Sequence, residues 1–224
     1  MAQPVSIRSG YDRWATEYDD GDPSTLLDEP FVRRYCTPAA GSRLLDLGCG
    51  TGRYLRTVAT PGVVCVGVDI SSGMLSRAQG MAAAHPPAGA VSWIQASAWQ
   101  LPFRDGAFTH LVSGLVLDHV TELDPFFHEI ARVLVAGGWA VISGIHPDMQ
   151  RMTGCNIVVA GLFHIPGVIH ETAAVSRAAC DAGLELVAHD EPVVTPDLIA
   201  QRPTWESRLG CPALVLMAMR KPLG

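Results

Sequence analysis

No Cys-x-x-Cys pair occurs among the six cysteines, at positions 36, 49, 65, 155, 180 and 211. That spacing argues against a zinc cluster. The first residues, Met-Ala-Gln-Pro, lack the charged-then-apolar pattern of a secretory signal. The expected compartment is the cytoplasm, where disulfides do not persist. Basic residues do not cluster beyond Arg33-Arg34, and the net charge is −6. Nucleic acid is therefore not an expected partner, because its binders carry a basic stripe. There is no internal repeat, no low-complexity tract and no linker long enough to separate domains. The 224 residues, 48% of them hydrophobic, suffice for one domain with a proper core. From Met152 to His170 the chain carries no Asp, Glu, Lys or Arg, which approaches the length of a membrane span. Gly154, Asn156, Gly161, His164, Pro166, Gly167 and His170 interrupt that run, so no membrane association is expected.

The most informative stretch is Leu44-Leu45-Asp46-Leu47-Gly48-Cys49-Gly50-Thr51-Gly52-Arg53. Arg43 to Leu47 reads as a buried parallel strand, and three glycines at alternate positions then turn the chain into a helix. Glycine tolerates positive φ and lets bare backbone approach a ligand, and a helix start offers unpaired N–H groups to an anion. A dinucleotide fingerprint would place its third Gly where Arg53 stands, and a Walker loop would need Gly-Lys-Ser/Thr. Asp46, two places before Gly48, would repel a phosphate and favour a ligand with an ammonium group. The D-x-G-x-G-x-G pattern resembles motif I of the class I S-adenosylmethionine-dependent methyltransferases. A tight turn with no ligand is the alternative reading.

Further segments agree in order. Val63 to Asp69 is a second apolar run ending in an acid, about 17 residues beyond Gly52, near the interval at which a carboxylate reaches ribose hydroxyls. Ser71-Ser72 then opens a helix with Met74, Ala78, Met81 and Ala82 on one stripe. The resemblance places Ile70 and Met74 beside the adenine; as a core residue Met74 would serve equally well. Gln95 to Phe108 resembles the family's G-D-A-x-x-L-P-F-x-D-x-x-F segment, with Ser97 in place of the adenine-reading Asp. An uncharged hydroxyl makes a weaker contact there. Ala98 and Trp99 flank it, and Trp99 either covers the purine or plugs the core.

His110 to Leu117 reads as a fourth strand and its exit, with Gly114 and Leu115 at the cofactor. Asp118-His119-Val120 resembles the family's L-x-H-V stretch. Asp124-Pro125 is the expected start of the next helix, with Asp124 at its N-cap. Arg132 to Gly138 resembles the R-V-L-x-P-G-G turn, followed by a fifth strand over Trp139 to Gly144. Leu184 to Ala188 and Ala213 to Met219 read as the last strands, and Thr195-Pro196 as the opening of a short helix.

Tyr11-Asp12-Arg13-Trp14-Ala15-Thr16-Glu17-Tyr18-Asp19 resembles the Y-D-x-x-A-x-x-Y-D opening of small-molecule members, whose aromatic rings cover the cofactor. Docking of this helix on the sheet by Tyr11, Trp14 and Tyr18 is compatible with that role. The resemblance thus implies one class I domain over residues 1–224: an α/β, Rossmann-like, doubly wound sheet of seven mostly parallel strands, the last antiparallel, with helices on both faces. It implies an N-terminal helical cover at about 5–36, and a wall or lid of the acceptor pocket at 146–170. S-adenosyl-L-methionine is the implied cofactor and S-adenosyl-L-homocysteine the product. The implied cofactor contacts are Tyr11, Tyr18, Asp46, Gly48, Cys49, Gly50, Gly52, Asp69, Ile70, Met74, Ser97, Ala98, Trp99, Gly114 and Leu115.

The chemistry requires an acceptor held in line with an electrophilic methyl and, for many acceptors, a base. His119, His146 and His170 are the candidate bases, each with a structural histidine as the alternative. No Asn/Asp-Pro-Pro-Tyr/Phe follows the fourth strand, where Gly114-Leu115-Val116-Leu117 stands, which speaks against base amines as acceptors. No acidic ligand set points to a metal. The expected partner is a small-molecule acceptor methylated on oxygen, nitrogen or carbon, in a biosynthetic or secondary-metabolite setting, with a monomer or homodimer as the working state. A cyclase-like or isomerising enzyme that uses the sulfonium for charge alone, and a non-catalytic binding protein, remain the alternatives.

Overall fold

The computed structural model describes residues 3–18 and 24–223. In chain order it contains β1 (Gln3–Pro4), α1 (Ile7–Trp14), α2 (Ser24–Tyr35), β2 (Arg43–Leu47), α3 (Arg53–Val58), β3 (Val64–Asp69), α4 (Ser72–Ala84) and β4 (Ala90–Gln95). Then come β5 (Phe108–Gly114), a 3-10 turn (Leu117–His119), α5 (Leu123–Val133), β6 (Leu134–Ile145), α6 (Pro147–Thr153), β7 (Ile157–Val159) and β8 (Phe163–Ile165). The chain ends with α7 (Thr172–Asp181), β9 (Glu185–Asp190), α8 (Pro196–Gln201), a 3-10 segment (Pro203–Arg208) and β10 (Leu214–Arg220). Asp19, the last residue of the opening motif, and 19–23 of the expected N-terminal cover lie outside the described residues.

Seven strands pair in the order β4-β3-β2-β5-β6-β10-β9. β10 runs antiparallel to both β6 and β9, and the remaining pairings are parallel. β2 lies between β3 and β5, so both its edges are paired, and helices cover both its faces, as an apolar parallel strand requires. Leu45 and Leu47 pack towards α5 and α7, whereas Leu44 packs towards α2 and α3. That alternation is the period of two that a strand imposes. The chain order reverses between β2 and β5, so the crevice at their carboxyl ends is where a doubly wound fold takes its ligand.

Local chemistry sets the ends of the helices. Ser71 caps α4 by accepting from Met74 N at 3.1 Å, and Thr195 caps α8 by accepting from Leu198 N at 3.4 Å. α5 starts earlier than its sequence suggests: Glu122 is the N-cap, and Asp124 lies within the first turn, where its charge still complements the helix dipole. The turn expected over Arg132 to Gly138 is instead the end of α5 and the first part of β6, with a register shift between Phe108 and His110 and Gly137 at φ 76°.

The second sheet, β1-β8-β7, is small and joins the chain's N-terminal part to the 146–170 segment. β7 and β8 form a hairpin whose turn has positive φ at Ala160 and Gly161 and closes by Leu162 N donating to Val159 O at 2.9 Å. Val159, Phe163 and Ile165 make a satellite core with Val5, Ile7, Tyr11 and Trp14. α1 packs so closely on β8 that a Cβ on Gly10 would overlap the fully buried Ile165. Gly10→Val is therefore expected to cost about 2 kcal/mol, a fall of roughly 5 °C in thermal midpoint for a chain of this size. An unchanged midpoint would refute that packing. Asp12 fixes the other side of α1, accepting from Ser71 Oγ at 2.7 Å and Gly73 N at 2.9 Å. Among the described residues, no helix is long and apolar enough to cross a membrane.

Candidate functional site

The glycine turn after β2 is held from within. Gly48 N and Cys49 N both donate to Val68 O, Gly52 N donates to Cys49 O, and Gly50 N donates to Asp69 Oδ2 at 2.8 Å. These N–H groups are engaged inside the protein, and α3 is only six residues long. The loop therefore presents a fixed surface and not a set of waiting donors. Asp69, at the end of β3, also accepts from Ser71 N at 2.8 Å through Oδ1. Burial raises its pKa, against the lowering effect of those backbone donors. One acid thus joins the glycine loop to the start of α4.

Two adjoining cavities open at this crevice. The smaller, about 110 Å³, is lined by Asp69, Ile70, Met74, Ala98, Trp99 and His119, together with apolar side chains. The larger, about 440 Å³, extends over Cys49, Arg53, Asp118, Met149 and Gln150 to the β7 start and to Trp205. Tyr11, Tyr18, Gly48, Gly50, Gly114 and Leu115 line both. Leu115 carries a φ of 59°, a conformation that costs a branched side chain free energy. Its N–H is held by Ser143 O at 2.9 Å and Ser143 Oγ at 3.2 Å.

Aromatic rings roof the junction. Tyr11 stacks on Trp14 with centroids 5.9 Å apart, and Tyr18 meets Trp14 edge-on at 4.8 Å. His119, brought in by the 3-10 turn after β5, lies edge-on to Tyr11 at 5.3 Å. The imidazole Nδ1 is 3.1 Å from Pro166 O and Nε2 is 2.7 Å from Tyr11 Oη. A carbonyl only accepts, so Nδ1 bears the proton, Nε2 is the acceptor and the Tyr11 hydroxyl donates to it. Burial lowers the His119 pKa, partly opposed by the Pro166 carbonyl.

Five residues expected at the site stand away from both cavities. Asp46 is fully buried in the sheet and neither carboxylate oxygen has a hydrogen-bond partner. Burial pushes its pKa up to about 8, with Arg53 acting in the opposite direction. It lines neither cavity. Gly52 caps α3 at φ 78°, and its missing Cβ makes room for Trp93. The Ser97 hydroxyl turns back to accept from Trp99 N at 3.3 Å. His146 caps α6, its Nδ1 accepting from Asp148 N at 3.1 Å and its Nε2 lying 3.6 Å from Glu191. His170 Nε2 donates to Val120 O at 2.6 Å.

Other residues at the crevice escaped the sequence reading. Asp28, fully buried, accepts a two-pronged pair from Arg53 at 2.9 and 3.1 Å, and also bonds to Tyr54 Oη and to Ser143 Oγ at 3.1 Å. This network anchors the glycine loop and Leu115 to α2. Asp118 Oδ1 accepts from Ile145 N and Gln150 Nε2, and burial pushes its pKa up to about 7. Arg202, Trp205 and Arg208 come from the crossing between β9 and β10. Single acids and arginines in polar stretches carry no periodic signal, so only the tertiary structure brings them together.

Comparison with known proteins agrees with this geometry. The family described as "Methyltransferase domain" matches residues 45–142. The 2-phytyl-1,4-naphtoquinone methyltransferase of Nostoc punctiforme is 32% identical over 170 residues, spanning 71% of this chain and 74% of that protein. The biotin biosynthesis bifunctional protein BioHC of Cellvibrio japonicus is 37% identical over 151 residues, spanning 67% of this chain but only 29% of that longer protein. The crystal structure of an S-adenosylmethionine dependent methyltransferase from Mesorhizobium loti superposes with a TM-score of 0.67 at 22% identity, covering 86% of this chain and 97% of that one. With the sheet order, the internally bonded glycine loop and the acid at the end of β3 already in place, the chain belongs to the class I S-adenosylmethionine-dependent methyltransferases.

Proposed function

We propose that the smaller cavity holds the adenosine part of S-adenosylmethionine, that the larger holds its acceptor, and that Tyr11 and His119 draw off the acceptor's proton. The observation that carries this reading is the shared wall. Tyr11, Gly50, Gly114 and Leu115 line both cavities, and the Tyr11–His119 hydrogen bond sits in that wall. The residues suit the cofactor. A Cβ on Gly50 would reach nothing closer than Tyr18 Cε1 at 4.0 Å, so bare loop backbone faces open space. Asp69 lines that space with a carboxylate suited to a vicinal diol, and Met74, Ile70 and Trp99 supply apolar surface for a purine. When bound, the cofactor supplies an electrophilic sulfonium methyl.

The protein's part is alignment and proton removal. An acceptor O–H or N–H donates to Tyr11 Oη, the Tyr11 proton passes to His119 Nε2, and the resulting imidazolium keeps its Nδ1–H on Pro166 O. The α6–β8 segment and the aromatic roof keep water from the junction. The larger cavity's volume suits a small molecule, and the naphthoquinone-methylating relative supports that class.

The test is titration with S-adenosylmethionine followed by labelled methyl transfer to a panel of small phenols, amines and acids. Wild type binds and methylates a member of the panel. His119→Gln and Tyr11→Phe each lower kcat by about ten- to a hundredfold with cofactor affinity retained. Because the His119 pKa is lowered from 6.5, the neutral base persists as pH falls through that value, so kcat declines only below it. No methyl transfer by wild type would overturn the reading, and an unaltered kcat in both variants would remove the proposed base.

A further inference from the structure

We propose that Arg208, with Arg202 beside it, forms an oxyanion-binding wall in the larger cavity, so that the acceptor is a small molecule bearing a carboxylate or phosphate. The proposal rests on reading that cavity as the acceptor site. Trp205 and Arg208 are spaced by three along a 3-10 segment, which in such a helix puts side chains on one file, and Arg202 is the N-cap of that segment. All three line the cavity. Trp205 is buried, and each guanidinium carbon lies 5.7 Å from its ring centroid. The two cations therefore flank one indole, which restricts them before any ligand arrives.

The Arg208 charge is not consumed by the fold. Among the described residues, the Arg208 guanidinium has no hydrogen-bond or ion-pair partner, whereas those of Arg33, Arg53, Arg132 and Arg151 each reach a carboxylate. Arg53 also lines the cavity but is committed to Asp28. The only carboxylate among the described lining residues is Asp118, and its Oδ1 already takes two donors. A guanidinium turned to such a cavity matches an oxyanion in charge and in fork geometry, and the indole between the two cations adds a flat apolar surface.

The experiment titrates the S-adenosylhomocysteine-bound protein with three probes of one ring system: naphthoate, naphthyl phosphate and methyl naphthoate. At least one anionic probe is expected to bind about tenfold or more tightly than the ester, as a charge-assisted hydrogen bond implies. The tighter of the two anions tells carboxylate from phosphate. Arg208→Gln abolishes the preference while ester and S-adenosylhomocysteine affinities stay unchanged, and Arg208→Lys retains part of it. Equal binding of ester and anions, no binding of any probe, or an undiminished preference in Arg208→Gln overturns the proposal. If S-adenosylhomocysteine itself does not bind wild type, the cofactor reading fails separately, and the same series without it still decides the anion wall.

Discussion

Asp69→Ala is expected to raise the Kd for S-adenosylmethionine at least a hundredfold. The carboxylate spans two tasks. Its oxygens accept from Gly50 N and Ser71 N at 2.8 Å each, and its remaining lone pairs face the smaller cavity, which it lines. Two hydrogen bonds from a ribose diol to an ionised acceptor contribute roughly 1.5–3 kcal/mol each, and about 2.7 kcal/mol already equals a hundredfold. The substitution also frees the glycine loop from the start of α4, so the surface under the ligand loosens. Asp69→Asn sharpens the test. It keeps the shape, but its amide nitrogen must face one backbone N–H, and two donors cannot bond. Its loss is therefore expected to approach that of Ala. Calorimetry gives Kd, and a thermal scan without ligand separates binding from folding. An Asn variant that binds like wild type would show that the carboxylate charge does not hold the cofactor.

The contrast between what the sequence made legible and what it concealed follows the range of the interactions. The Ser71 and Thr195 caps depend on neighbours three residues on, and β2, the glycine turn and Asp69 follow one another in a single strand–turn–helix–strand unit of under thirty residues, so their spacing records their geometry. The β1-β8-β7 sheet is built from strands of two and three residues, too short for any alternation to register. Its reason for existing is a non-local one, the packing of Gly10 on Ile165. β4 is an edge strand whose residues are exposed or only partly buried, which blurs its pattern. The histidines divide on the same ground. His119, His146 and His170 look alike in sequence, and only the partners of their ring nitrogens distinguish a ring at the cavity from a helix cap and a donor to Val120 O.

Asp46 carries the second large effect, and it acts on stability. Its carboxyl is fully buried without a partner, and burial pushes its pKa from 3.8 to about 8. The folded chain therefore holds a proton on Asp46 that the unfolded chain releases near its ordinary value. Between about pH 4 and pH 8 folding takes up that proton, so stability is greatest at the acid end and is lost as pH rises. The full swing over this window is on the order of 5 kcal/mol, at about 1.4 kcal/mol per unit. Asp46→Asn removes it, because an amide does not titrate. The buried amide brings its own unpaired donors, but that cost is the same at every pH. Asp118, whose pKa burial also raises to about 7, contributes a slope to both proteins and cancels in the difference. Urea unfolding of ligand-free wild type and variant at pH 5, 6, 7 and 8 should show Asp46→Asn gaining on wild type at each step. Parallel pH dependences would mean that Asp46 is ionised in the folded protein. Arg53 would then be dividing its charge between Asp28 and Asp46.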